Sequence, residues 1–362
     1  MGERVSPTHL LTYPFTPVHV SVVGDLAVSS HVMEVEKMYD VVTLGETMLR
    51  LAPPDFQRLE QTRTFDVTAG GSESSTAAGV ARMGLRAAWV SKLPKSPLGR
   101  FIANKIREHG VDTSHIVWVD EGRVGVYFLE FGSTPRASQV IYDRKGSAIS
   151  TLTADEIDWK PIFEGARLFH TSGITPALSK NCAEATAKAI SEARAAGCLV
   201  SFDLNYRAKL WSPEDARACL SKLLKQVNIL ITTRQDTARV FGLEGTPEEL
   251  VQQMKDMFNF DVVAITLRDP ITVQTGTWTS MVLAARIYKG KVYDLEIIDR
   301  VGSGDSFTAG FLYGYLTGDV EKGIAYGDAM AALKHTFPGD LTWVTEEEVL
   351  DQIKGQGARI RR

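Results

Sequence analysis

A strand-like run that turns through Gly302-Ser303-Gly304-Asp305 into a helix-like run constrains this chain more than any other stretch. Residues 293–298 are largely apolar, and the segment after Asp305 is rich in Ala, Phe, Leu and Tyr. Two glycines at a strand-to-helix junction let backbone N–H groups turn inward with no Cβ in the way. The following helix adds the positive end of its dipole, so the turn suits a phosphate and the negative charge that develops during its transfer. Asp305 falls in the first helical turn, where Asp is also a common capping residue. A bare G-x-G-D is more often a capped helix after a Gly-rich turn. The whole frame, with a carboxylate aimed into an anion pocket, favours phosphoryl transfer.

With 362 residues, the chain has room for one large α/β domain with an appendage, or for two domains. A formal net charge of −4 argues against a nucleic-acid partner, and Arg359-Ile360-Arg361-Arg362 reads as a solvated end. Cys182, Cys198 and Cys219 lack C-x-x-C spacing, which suits reduced thiols in a cytoplasmic protein better than disulfides or zinc. No apolar run reaches the length of a membrane span, so no membrane association is expected. Residues 1–37, interrupted by Pro7, Pro14 and Pro17, show no period. They are expected to be a poorly ordered extension, with Met38 a candidate natural start, and residues 355–362 a C-terminal tail.

From Tyr39 onward, β-like and helix-like segments alternate, the pattern of a mostly parallel α/β sheet with helices on both faces. Candidate strands are 40–44, 87–91, 168–170, 199–203, 229–232 and 262–266. Candidate helices are 74–83, 98–109, 179–196, 213–225, 247–258, 305–316, 320–335 and 346–354. Residues 46–67 and 123–147 break the rhythm with short alternating stretches such as Val124 to Phe131. They are expected to form a small β-sheet that serves as a lid over the active edge.

Three further segments carry chemistry-bearing residues. Gly70-Gly71 precedes a small-residue helix, where a ligand could approach closely, although taken alone the pair is better explained by a tight loop. Tyr142-Asp143-Arg144 sits in the lid-like stretch, and an Arg beside a Tyr can clamp a carboxylate. A solvated β-turn is the commoner fate of such residues. Asp203-Leu204-Asn205-Tyr206-Arg207 follows an apolar strand, and polar groups at the carboxyl end of a parallel strand fall in the ligand crevice of an open α/β sheet. An Asx-rich turn capping the next helix is the competing reading.

Together these segments resemble the PfkB (ribokinase-like) carbohydrate kinase family over residues 38–354. Asp299-Arg300-Val301-Gly302-Ser303-Gly304-Asp305 is similar to its D-x-x-G-[AS]-G-D signature, and Gly70-Gly71 to its N-terminal glycine signature. Gly45 to Leu51, Tyr142 to Ala148, Asp203 to Trp211, Thr266-Leu267-Arg268 and Ala332 to Asp340 resemble the members that act on 2-keto-3-deoxygluconate. The resemblance implies Asp305 as the base for the sugar hydroxyl, ionised at neutral pH with an ordinary pKa. It implies an anion hole from the backbone of Gly302, Ser303 and Gly304. The sugar-acid site would comprise Gly70, Gly71, Ser75, Tyr127, Tyr142, Arg144, Asn205 and Arg207, with the two arginines on the carboxylate and oxo groups. Nucleotide contacts would come from Thr233, Thr266 and Arg268.

ATP and Mg2+ are the implied cofactors, with Asp236 near the metal. Two positions depart from the family pattern: Ser75 stands where Asn is common, and Thr233-Arg234-Gln235-Asp236 replaces N-x-x-E. The implied reaction is ATP-dependent phosphorylation of 2-keto-3-deoxygluconate to its 6-phosphate. The alternatives are a kinase for another acceptor, such as fructose, another ketose or a nucleoside, and an inactive regulatory relative that binds sugar or nucleotide. The resemblance also implies a homodimer or higher homo-oligomer.

Overall fold

In the computed structural model, residues 39–356 are described; the expected extension at 1–37 and most of the tail lie outside the described residues. Fourteen strands order the fold: β1 (Val41–Leu44), β2 (Met48–Ala52), β3 (Asp66–Gly70), β4 (Ala87–Pro94), β5 (Ile116–Val119), β6 (Val126–Glu130) and β7 (Gln139–Asp143). They continue with β8 (Leu168–Ser172), β9 (Leu199–Asp203), β10 (Ile229–Thr233), β11 (Val262–Pro270), β12 (Thr275–Leu283), β13 (Ile287–Lys289) and β14 (Tyr293–Glu296).

Ten strands form the main sheet, in the order β13-β12-β11-β10-β9-β8-β1-β4-β5, with β14 also on β12. From β5 to β11 every pairing is parallel. These strands are apolar because both faces are covered: all residues of β1, β4 and β8 are buried. One core, around Trp159, Phe163 and Phe169, lies on one side; the other, around Trp89, Phe307 and Phe311, lies opposite. The crossover helices start where the sequence supplies a cap. Ser96, Ser179 and Ser212 each accept the backbone N–H three residues on.

The chain runs outward from β1 to β4 and β5, then returns to the other side of β1 at β8 and proceeds to β11. That reversal opens a crevice beyond the carboxyl ends of β1 and β8, where α/β sheets bind ligands. A separate four-stranded sheet, β3-β2-β6-β7, occupies the segments expected to form the lid. Its β2–β6 pairing is parallel, and β3 runs on to Gly70.

The antiparallel end built by β12 and β13 was not foreseen from sequence. Thr275, Thr277 and Thr279 alternate with buried Gly276, Trp278 and Ser280, so the segment reads as polar although one of its faces packs on the helix Val320–Lys334. The helix Arg234–Phe241 was also missed. It buries only Thr237, Val240 and Phe241, too few for a visible period.

Candidate active site

Asp305 is the third residue of the helix Ser303–Thr317. Gly302 is the N-cap at φ +83°, and a Cβ there would stand 2.0 Å from the Asp340 carbonyl oxygen, so this turn closes only on glycine. No side chain caps the helix, so the capping role open to Asp305 is not used. Its carboxylate instead accepts a hydrogen bond from Ser72 Oγ at 2.6 Å, and Ser72 Oγ accepts from Asn205 Nδ2 at 2.8 Å. Ser72 opens the helix Ser72–Arg82 directly after Gly71, where a Cβ would lie 2.1 Å from the Glu46 carbonyl oxygen. The first-turn N–H groups of a helix have no intrahelical acceptor and face an incoming anion.

A cavity of about 420 Å3 lies before the Asp305 carboxylate. Of the expected acceptor-site residues, Gly70, Gly71, Tyr127, Tyr142, Arg144, Asn205 and Arg207 line it. Ser75 does not: it is buried one turn along its helix, and its hydroxyl has no partner among the described residues. Thr233, Thr266, Arg268, Gly302 and Gly304 line it as well. A neighbouring cavity of about 640 Å3 shares Thr233, Thr266 and Arg268 with it. Ser303 lines neither, because it is buried with Oγ donating to the Arg300 carbonyl at 2.9 Å.

The two expected carboxylate-binding arginines differ in state. Arg144 donates to Glu46 through Nε at 2.8 Å and also through Nη2. Glu46 is buried, so Arg144 is held as half of an ion pair rather than free. Arg207 spends Nη1 on the carbonyls of Asn205 and Tyr206, at 3.3 and 3.2 Å, and makes no ion pair among the described residues. Arg207 thus lines the cavity with its Nε and Nη2 donors unpaired among the described residues.

The Asp305 carboxylate is not an ordinary one. Burial pushes the Asp305 pKa up to about 6, against the hydrogen bond from Ser72 and the charge of Arg207, which favour ionisation. Asp203, at the carboxyl end of β9, rises to about 8 through burial and the charges of Asp305 and Asp236. Asp236 is raised by burial as well. Thr233 caps the helix Arg234–Phe241, its Oγ1 accepting from the Asp236 backbone N–H at 3.1 Å. The threonine at this departure from the family pattern thus keeps a structural task.

Beneath the cavity, a buried ionic network joins the small sheet to the signature turn. Arg50 on β2 reaches Asp340 Oδ1 at 2.8 Å and Asp299 Oδ2 at 2.5 Å. Tyr127 on β6 donates to Asp340 at 2.6 Å. Asp299, first residue of the signature, accepts from the backbone N–H groups of Val301 and Gly339. Burial pulls the Arg50 guanidinium down, but Asp340 and Asp299 together raise it and keep it charged. Sequence reasoning missed Glu46, Ser72, Arg50 and Asp340 as site-forming residues. For Ser72 a signal existed, since it directly follows the glycine pair.

Among the described residues, no group of three or more His, Cys, Asp or Glu side chains could hold a metal ion by itself. Asp203 and Asp236 nevertheless line the cavity without ion-pair partners among the described residues, their pKa values raised chiefly by burial. That fits a magnesium ion that arrives with the nucleotide phosphates and keeps most of its water.

Residues 38–342 match the model of the pfkB family of carbohydrate kinases. The chain is 40% identical over 324 residues to 2-dehydro-3-deoxygalactonokinase of Haloferax volcanii, covering 89% of this chain and 99% of that one. It is 32% identical over 317 residues to 2-dehydro-3-deoxygluconokinase of Bacillus subtilis, covering 86% and 94%. The crystal structure of 2-dehydro-3-deoxygluconokinase from Thermotoga maritima superposes with a TM-score of 0.85 at 41% identity, covering 88% of this chain and 99% of that one.

Proposed function

Because this chain belongs to the pfkB family of carbohydrate kinases, we propose that it transfers the γ-phosphoryl group of ATP to the terminal hydroxyl of a 2-keto-3-deoxy sugar acid. With 2-keto-3-deoxygluconate the product is the 6-phosphate. The observation that carries this reading is that the Asp305 carboxylate and the Arg207 guanidinium, which makes no ion pair among the described residues, line one cavity. A carboxylate base and a cation in one cavity suit an acceptor that carries both a hydroxyl and a carboxylate. The gluconate- and galactonate-type acceptors differ at a single hydroxyl-bearing carbon and share both termini.

In this mechanism Asp305 takes the proton from the hydroxyl as the oxygen attacks the γ-phosphorus. The Gly302–Gly304 turn faces the phosphoryl oxygens with backbone dipoles. Ser72, itself held by Asn205, fixes one carboxylate oxygen and leaves the other for the acceptor. Bound magnesium, near Asp236, would offset the charge of the phosphates. Arg144, braced by Glu46, and Tyr142 form the wall contributed by the small sheet, which would act as the lid and exclude water. Exposed Val67 and Ile141 on that sheet, with Phe65 just before β3, support a homo-oligomer that covers them.

The test is a panel of acceptors with ATP and Mg2+, combined with Arg207→Met. Charge-assisted hydrogen bonds contribute about 1.5–3 kcal/mol, so KM for the sugar acid should rise roughly 10- to 150-fold with KM for ATP unchanged. Equal or faster turnover of fructose by the unmodified enzyme would overturn the acidic-acceptor assignment.

A further inference from the structure

We propose that Arg268 is a catalytic residue of this kinase, binding the oxygens of the phosphoryl group in flight between nucleotide and acceptor. The inference rests on the phosphotransfer reading above, though not on which sugar accepts. Three observations converge on it. Arg268 lines both the acceptor cavity and the neighbouring cavity, so it stands at their junction. Its Nη2 lies 3.1 Å from where a Cβ on Gly304 would stand, directly over the anion turn. Its guanidinium makes no hydrogen bond or ion pair with any described residue, although the side chain is open to the cleft.

An arginine with its full fork of donors uncommitted in a cleft of carboxylates is unusual, since Asp203, Asp305 and Asp236 all attract it. Stacking holds it in place instead. Arg268 pairs with Trp278 across β11 and β12, and its guanidinium carbon sits 4.7 Å from the indole centroid. Trp278 is fully buried, and its Nε1 donates to Asp328 Oδ1 at 2.9 Å, so the shelf beneath the guanidinium cannot turn. The device orients a planar cation without consuming its donors. Those donors match two oxygens of a phosphoryl group.

In the balanced step, the acceptor oxygen bonds to the γ-phosphorus as the bond to the β,γ-bridging oxygen breaks, and ADP departs with that electron pair. The hydroxyl proton passes to Asp305 and then to solvent. Arg268 forms no covalent bond and transfers no proton. It meets the charge spread over the equatorial oxygens, which is greatest in the transition state.

The experiment compares the unmodified enzyme with Arg268→Ala and Arg268→Lys. It measures kcat, both KM values, and ADP affinity with and without aluminium fluoride and magnesium. Arg268→Ala should lower kcat about 10²- to 10³-fold while each KM moves less than about threefold. Aluminium fluoride, a mimic of the phosphoryl in flight, should tighten ADP binding by at least about 100-fold in the unmodified enzyme and by less than about tenfold in Arg268→Ala. Arg268→Lys keeps the charge without the fork and should fall between them; it decides the matter if the alanine variant does not fold. Added guanidinium ion should restore part of the lost kcat in Arg268→Ala. A kcat within about threefold of normal with a raised KM for ATP, or equal tightening in all three proteins, overturns the proposal. Tightening by aluminium fluoride that depends on Arg268, in an enzyme that phosphorylates no sugar acid, would support Arg268 and defeat only the acceptor assignment.

Discussion

Replacing Asp305 with Asn should inactivate the enzyme and stabilise its fold, in a way that pH reveals. The carboxyl group's pKa is raised from 3.8 to about 6, chiefly by burial, so ionising it in the folded state is unfavourable. At about 1.4 kcal/mol per pH unit this corresponds to about 3 kcal/mol, and screening by cleft water leaves about 1–3 kcal/mol. The sign follows from linkage. With the folded pKa above the unfolded one, the native protein is favoured by protonation, and that advantage is lost as pH rises from about 4 through about 6. Asparagine behaves like the protonated acid at every pH and still accepts from Ser72 through its carbonyl. Asp305→Asn should therefore melt about 2–6 °C above the unmodified protein at pH 8, with roughly half that difference left at pH 5. Thermal unfolding across this range is the assay, with kcat expected to fall at least 10²-fold in parallel. A variant no more stable at pH 8, or a difference flat with pH, would refute the claim that this carboxylate is held ionised at a cost in stability.

The network under the cavity and the hydrogen bond to the base supply two further expectations. Arg50→Met removes the cation that pairs two buried carboxylates, Asp299 and Asp340, and should cost about 3–5 kcal/mol in urea unfolding; a loss under 1 kcal/mol would show that the network is not structural. Ser72→Ala deletes the one hydrogen bond that favours the ionised form of Asp305, so the acidic limb of the kcat/KM profile should move upward from about pH 6. An unshifted limb would mean that Ser72 does not touch the titrating group.

What the sequence revealed, and what it hid, divides along physical lines. The parallel strands β1, β4 and β8–β11 were legible because burial on both faces leaves continuous apolar runs. The signature turn was legible because every part of it is local, from strand through glycines to helix. Pairings between distant positions were not. The Arg144–Glu46 contact spans 98 positions and Arg50–Asp340 spans 290, so sequence reasoning assigned Arg144 to the acceptor rather than to Glu46 and assigned Arg50 no role. Ser75 was assigned to the acceptor site because it stands where the family commonly carries Asn, but the helix turns that side chain into the protein. The Asp305 pKa was misjudged for the same reason, since its cause is burial that only the folded chain creates.

One measurement bears most directly on the whole account: following the γ-phosphorus of ATP by NMR during incubation of the unmodified protein and of Asp305→Asn with 2-keto-3-deoxygluconate and Mg2+. The account predicts a new phosphate ester on the terminal carbon of the sugar acid with the unmodified protein, and no ester with the variant. An ester elsewhere on the sugar, or equal product from both proteins, would contradict it.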